Sequence, residues 1–258
     1  MAMLTGFHRP WAPLLAAFSL YCGLGGAADI PKNTDPAFIK QYVDEHNAFR
    51  ASVSPASSNM LYMTWDPALA RLANVWAKKC KLSHNPYLAY PNKPHPTFPA
   101  VGENIWIGSS YGVQSPVVGW HSEVQYYTYE TRKCTDMCGH YTQVVWADSY
   151  KVGCAARQCP EIEGYPRAKN WAIVVCNYGP AGNLMRQFPY KEGNPCSACP
   201  EDTCVNNLCK NDVRDTVKNY PSWSPILGSG CFSAQSYNPL CIIVFVLMTL
   251  NFGINLFC

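Results

Sequence analysis

The densest reactive chemistry in this 258-residue chain is its sulfur. Cys196-x2-Cys199-x4-Cys204-x4-Cys209 places four cysteines within fourteen residues. Such a set can hold zinc through thiolates or close two disulfides. A piece this short cannot bury a core and needs cross-links to keep a shape. No neighbouring group favours thiolates, and the chain points to an oxidising compartment, so bridges are expected. Spacing alone leaves all three pairings of four cysteines open. Nucleophiles are poorly marked. Ser83 stands beside His84, and Ser109, Ser110 and Thr142 offer further hydroxyls, but none lies in a nucleophile elbow. A hydrolase of the serine type needs its hydroxyl within reach of a base. Cysteine catalysis needs a free thiol, and here the core thiols are expected in bridges. The chain is therefore not expected to be an enzyme.

The ends explain the compartment. Residues 1–9 are short and polar-basic, an apolar run follows from Trp11, and small residues close it at Gly25-Gly-Ala-Ala28. That order marks residues 1–28 as a secretory signal peptide, the rival being a buried N-terminal helix. At the other end Pro239–Cys258 is apolar, without a single charge, and no Lys or Arg follows it. Gly228-Ser-Gly230 and a polar spacer precede it. Small residues, spacer and apolar tail form the pattern of a GPI-attachment signal over 229–258, with Gly228 and Ser229 as candidate attachment sites. A transmembrane segment is the rival. Cysteine parity bears on the choice. Of 14 cysteines, Cys22 would leave with the leader and Cys231, Cys241 and Cys258 with the tail. Ten would remain, an even number suited to an oxidised exported protein, whereas a retained tail would leave Cys231 alone outside. Loss of Arg9 takes the formal net charge from +3 to +2. So weak a balance gives no reason to expect nucleic acid as a partner. Asn-x-Ser/Thr does not occur, so no N-glycan is expected.

Three segments between these ends read as helices. Asp35-Pro36, Asp66-Pro67 and Ser115-Pro116 each pair a capping side chain with Pro at the first helical position. The first helix carries Phe38, Ile39, Tyr42, Val43, His46 and Phe49 on one stripe. The second carries Leu69, Leu72, Ala73, Trp76 and Cys80; the third, Val117, Trp120 and Val124. Tyr141–Trp146, Lys151–Cys159 and Trp171–Tyr178 read as strands, and their short turns suggest an antiparallel meander. Helices before strands give an α+β class. Five prolines make 86–99 a loop. Residues 191–210 form a cysteine-rich hinge, and the polar stretch 211–228 reads as a stalk.

Gly139-His-Tyr-Thr-Gln-Val-Val-Trp146 and Cys176-Asn-Tyr-Gly-Pro-Ala-Gly-Asn183 resemble the two signature motifs of the CAP superfamily, the cysteine-rich secretory, antigen 5 and pathogenesis-related 1 proteins. Gly102-Glu-Asn104 resembles a third. The likeness runs from about Asp35 to Tyr190, within a CAP domain drawn at 29–190. Met60-Leu-Tyr-Met-Thr-Trp-Asp-Pro67, Ala147-Asp-Ser-Tyr-Lys-Val-Gly153 and the anchored tail are similar to the glioma pathogenesis-related branch, in particular its GPI-linked, testis-expressed like-1 group.

The resemblance implies an α-β-α sandwich followed by a small disulfide-rich hinge. It implies the pairs Cys80–Cys159, Cys134–Cys138, Cys154–Cys176, Cys196–Cys204 and Cys199–Cys209. Two departures stand out: Val101 precedes Gly-Glu-Asn where many relatives have Cys, and the channel-blocking domain beyond the hinge is missing. Ion-channel block is therefore not carried over. The family's cleft tetrad falls on His84, Glu103, Glu123 and His140. Two neutral imidazoles can hold Zn²⁺, with carboxylates taking the other ring N–H, so His84 and His140 are the expected metal ligands and Glu103 and Glu123 their supports. No metal is expected to be needed for folding. The implied role is recognition at the cell surface, on sperm, through egg-coat or other surface proteins, from the outer face of the plasma membrane. A second expectation is a sterol or fatty acid in an apolar groove bordered by Tyr87, Tyr90 and Phe98 of the Pro-rich loop.

Overall fold

A computed structural model describes residues 30–89 and 91–227; the expected signal peptide, Tyr90, the attachment candidates Gly228 and Ser229 and the apolar tail lie outside the described residues. The helix starts follow from their caps. Helix α1 (Pro36–Ala51) begins where Asp35 accepts the N–H of Ala37 at 2.8 Å. A two-residue strand, β1 (Thr64–Trp65), leads into α2 (Pro67–Ala77), where Asp66 accepts the N–H groups of Ala68 and Leu69 at 2.7 and 3.0 Å. Each cap satisfies backbone donors that the first helical turn leaves without partners. Strand β2 (Gly102–Gly108) follows the Pro-rich loop. Then come α3 (Pro116–Ser122), capped by Ser115, a 3₁₀ turn at Glu123–Tyr126, and a small hairpin of β3 (Tyr127–Thr128) and β4 (Lys133–Cys134).

Gly139–Val144 forms a helix, α4, and this corrects the strand expected at Tyr141–Trp146. Its alternating pattern is too short to fix a period, and the backbone instead closes helical bonds, Thr142 N–H to Cys138 and Val145 N–H to Tyr141. The two long strands are β5 (Lys151–Glu161) and β6 (Lys169–Gly179). The sheet runs β1-β5-β6-β2. It is not the expected meander: β5 and β6 form a hairpin, β2 pairs antiparallel with β6 from across the chain, and β1 pairs parallel with β5. The sequence reading had used Gly102–Asn104 as a motif and passed over its strand.

Side chains alternate across this sheet, so each face meets a different layer. Val152, Cys154, Ala156, Val174, Cys176 and Tyr178 pack toward α1, α3 and α4. Ala155, Ile173 and Val175 pack on the other side with Ala73, Trp76 and Ala77 of α2. The result is an α-β-α sandwich. Bridges join Cys80 to Cys159, Cys134 to Cys138 and Cys154 to Cys176 in the sandwich, and Cys196 to Cys204 and Cys199 to Cys209 in the hinge. The hinge adds a hairpin of β7 (Thr203–Val205) and β8 (Leu208–Lys210).

Residues 211–227 are not a free stalk. A short helix, α5 (Asp212–Asp215), buries Asp215, and Lys151 donates its ammonium N–H to the Thr216 carbonyl at 2.9 Å. Arg71 of α2 donates to the Tyr220 carbonyl at 2.9 Å and lies 5.6 Å from the Trp223 ring centre. Tyr220 and Trp223 pack around His95 of the Pro-rich loop, and Leu227 packs beside Leu69, Leu72 and Val101. Composition suggested a spacer; partners distant in sequence make it a strap.

Candidate functional site

Arg50 of α1, fully buried, donates to the carbonyls of Leu61, Val144, Trp146 and Ala147. Three of these belong to the end of α4 or just beyond it, where helix carbonyls lack intrahelical donors and carry partial negative charge. The guanidinium thus fixes the C-terminal end of α4. Its N-terminal end is held by Glu123, whose Oε2 accepts the N–H groups of His140 and Tyr141 at 3.0 and 3.2 Å. The other oxygen, Oε1, meets His140 Nδ1 at 2.6 Å. One carboxylate therefore starts the helix and orients the ring.

Glu103 does the matching work from β2. Its Oε1 accepts the Asn85 N–H and meets His84 Nδ1, both at 2.9 Å, and its Oε2 takes a longer contact from the Asn177 amide at 3.4 Å. Register brings these together, because Glu103 lies opposite Asn177 on β6. The carboxylate is 1 % exposed while the His84 ring is 65 % exposed, so the buried partner fixes the mobile one. The hydrogen bond to Glu103 holds the His84 pKa above its ordinary value against partial burial, which would lower it.

All four tetrad residues therefore meet in two His–carboxylate pairs. His84, Glu123 and His140 line one cavity of about 470 Å³, whose remaining wall is largely apolar: Leu82, Ile105, Trp106, Ile107, Trp120 and Met137. Ser83 also lines it, but among the described residues no hydroxyl hydrogen-bonds either ring; Thr142 bonds instead to Gly139 and Asn183, and Ser109 and Ser110 are exposed beyond β2. The donor set suits a divalent transition metal. Each Nδ1 is occupied by a carboxylate, which leaves Nε2 of each ring as the free ligand atom. Among the described residues, one group of three or more candidate ligands lies close together, Cys196, Cys199 and Cys209, and all three are in disulfides. Any ion in the cleft would rest on two protein nitrogens and water.

The family model described as the cysteine-rich secretory protein family, CAP, matches residues 43–178. This chain belongs to the CAP family. It is similar to GLIPR1-like protein 1 of Bos taurus, 46 % identical over 85 % of this chain and 89 % of that one. It is also similar to glioma pathogenesis-related protein 1 of Mus musculus, 48 % identical over 76 % of each. Among solved structures, one described as NaASP2 with Zn²⁺ matches with a TM-score of 0.51 and 26 % identity, over 72 % of this chain and all of that chain.

The CAP motifs recur together for a packing reason. Gln143 of the second motif is buried; its Nε2 donates to Ser149 and its Oε1 accepts the Gly182 N–H at 3.1 Å. A Cβ on Gly102 would sit 2.1 Å from that Oε1, and one on Gly182 only 2.7 Å from Nε2. One amide thus needs glycine in both neighbouring motifs. A second link was not foreseen. His46 Nδ1 donates to the Tyr42 carbonyl at 2.7 Å, so Nε2 accepts from the Tyr178 hydroxyl at 2.9 Å. The Asn104 amide donates to Tyr178 and, at 3.0 Å, to the His140 carbonyl. Motif membership flagged Asn104 and Tyr178, but no local pattern could pair them with His46.

Of the residues expected to border an apolar groove at the Pro-rich loop, one is taken into the core. Phe98 is buried against Gly179 and stacks on His95 at 4.5 Å, beneath Tyr220 and Trp223. Tyr87 is half-buried, and Tyr90 lies outside the described residues.

Proposed function

We propose that this protein is an exported recognition module, held on the outer face of the plasma membrane by a GPI anchor at Gly228 or Ser229, that binds another surface protein rather than turning over a substrate. The observation that carries this reading is the cleft: two rings pinned by carboxylates, an apolar wall, and no nucleophile bonded to either ring. Five disulfides and a strapped C-terminus make a rigid platform, and rigidity limits the ordering cost of binding. Likeness to the glioma pathogenesis-related branch favours sperm–egg binding as the setting, with an egg-coat protein as partner. Purified ectodomain 29–228 should compete with sperm for eggs, and His84→Ala with His140→Ala should weaken that competition. Competition unchanged by the paired substitution moves the binding surface off the cleft. Peptide or ester hydrolysis that disappears with His140→Ala replaces recognition with catalysis.

Zn²⁺ fits the same cleft through Nε2 of His84 and of His140. When bound it supplies a Lewis-acidic position with exchangeable water. Glu103 and Glu123 orient the rings by holding Nδ1 of each. Calorimetric titration with Zn²⁺ should show weak, reversible binding that is lost in either His→Ala variant. Equal binding by both single variants would remove the paired-His site.

A further inference from the structure

The strap, Thr216–Leu227, changes where the domain can sit relative to its anchor. As a free stalk, residues 211–228 could place the domain roughly 60 Å from the point of attachment. Docked on α2 and the Pro-rich loop, they give it almost no reach. Leu227 is the last described residue and is packed against the core. A lipid attached at Gly228 or Ser229 would follow it by one or two residues. Even a membrane segment starting at Pro239 leaves only residues 228–238, about 20 Å as a flexible chain.

The strap's composition fits a lipid surface. From Thr216 to Cys258 the single charged residue is Lys218, so no carboxylate would be pushed against headgroups. Val217 and Ile226 are 52 % and 66 % exposed. These apolar side chains face outward from a segment whose Trp223 and Leu227 face inward. Strap and α2 share one side of the sheet, and α1, α3 and α4 occupy the other.

We propose that the strap is the membrane-facing surface of this protein: Val217, Lys218 and Ile226 lie at the lipid headgroups, and the α1–α3–α4 layer points away toward whatever the protein meets. This rests on the anchored reading above. Lysine acylation by a membrane-impermeant reagent tests it on the mature protein in intact cell membranes. Lys218 should react several-fold more slowly than Lys40 of α1 and Lys169 of β6, both exposed on other parts of the surface. The difference should vanish once the chain is freed by phosphatidylinositol-specific phospholipase C, or by detergent where the lipase leaves it bound. Equal protection of Lys218 before and after release, or none at either stage, overturns the orientation while leaving the anchor standing. A chain found only in the medium, its tail removed, overturns both.

Discussion

The two sides of the central sheet are built on different principles. On the α2 side Ala73, Ala77, Leu69, Leu72 and Val175 pack closely, aromatic residues of the strap lie outside them, and the buried polar groups form local pairs, His95 with Asp66 and Glu103 with Asn85. The α1–α3–α4 side buries His46, Asn47, Arg50, Asn104 and Gln143 among its apolar residues. Apolar burial supplies most of what holds the centre of the first together, since burial is non-directional. Hydrogen bonds must hold the second, because each buried polar group is costly unless partnered. The cleft sits at β2, the sheet's edge, where the polar side supplies His140 and the segment after α2 supplies His84. The cleft thus lies where directional contacts fix geometry.

The sharpest break in that contrast is Arg50→Met. It leaves four buried carbonyls short of a donor and frees the end of α4, and should cost roughly 3–5 kcal/mol by denaturant unfolding. A loss under about 1 kcal/mol would mean that water replaces the guanidinium readily.

Acid should single out the polar side next. Burial lowers the His46 pKa to about 4 from an ordinary 6.5. Between those values the unfolded chain binds the proton and the folded one does not, so stability falls as pH falls. The contribution is complete above about pH 6.5 and is lost progressively toward pH 4, on the order of 3 kcal/mol. Thermal or denaturant unfolding across that window should show a shallower slope in His46→Phe. An unchanged slope would assign the acid sensitivity to other groups.

On the α2 side, Trp223→Ala should cost about 1–3 kcal/mol through lost packing and the lost contact with Arg71. It should also speed proteolysis within 216–227 more than anywhere else. Uniform protection would mean that the strap stays docked without its indole.

The smallest effect belongs to the cleft. His84→Ala should change stability by no more than about 0.5 kcal/mol, since its ring is largely exposed. His140→Ala should cost about 1 kcal/mol, because Glu123 then retains its backbone donors but loses the ring. If His84 proves the costlier of the two, Glu103 depends on its partner more than its other hydrogen bonds suggest.

Local signals were enough for what local chemistry decides. Asp35-Pro36, Asp66-Pro67 and Ser115-Pro116 announce their helices because cap and helix are neighbours. The family likeness carried the tetrad, since His84, Glu103, Glu123 and His140 stand on four separate elements. Elsewhere the deciding partner is remote. Tyr141–Val145 alternates like a strand, yet Glu123 and Arg50 hold its start and its end as a helix. Thr216–Leu227 reads as spacer until Arg71 and His95 are found beneath it. His46 looks like one more residue on an apolar stripe, and only the fold brings Tyr178 to its ring.

Strand β2 has a consequence for how the protein is made. Among the described residues its one sheet partner is β6, which starts at Lys169, long after β2 ends at Gly108. A chain made N-terminus first must carry Ile105 and Ile107, both destined for contact with other apolar groups, without a strand to pair with through that whole interval. Unpaired apolar edges are where nascent proteins associate wrongly. The segment Gly102–Gly108 is accordingly where a folding chaperone would be needed most, and the cleft, which takes Glu103 from this strand, can be completed only after β6 has been made through Gly179.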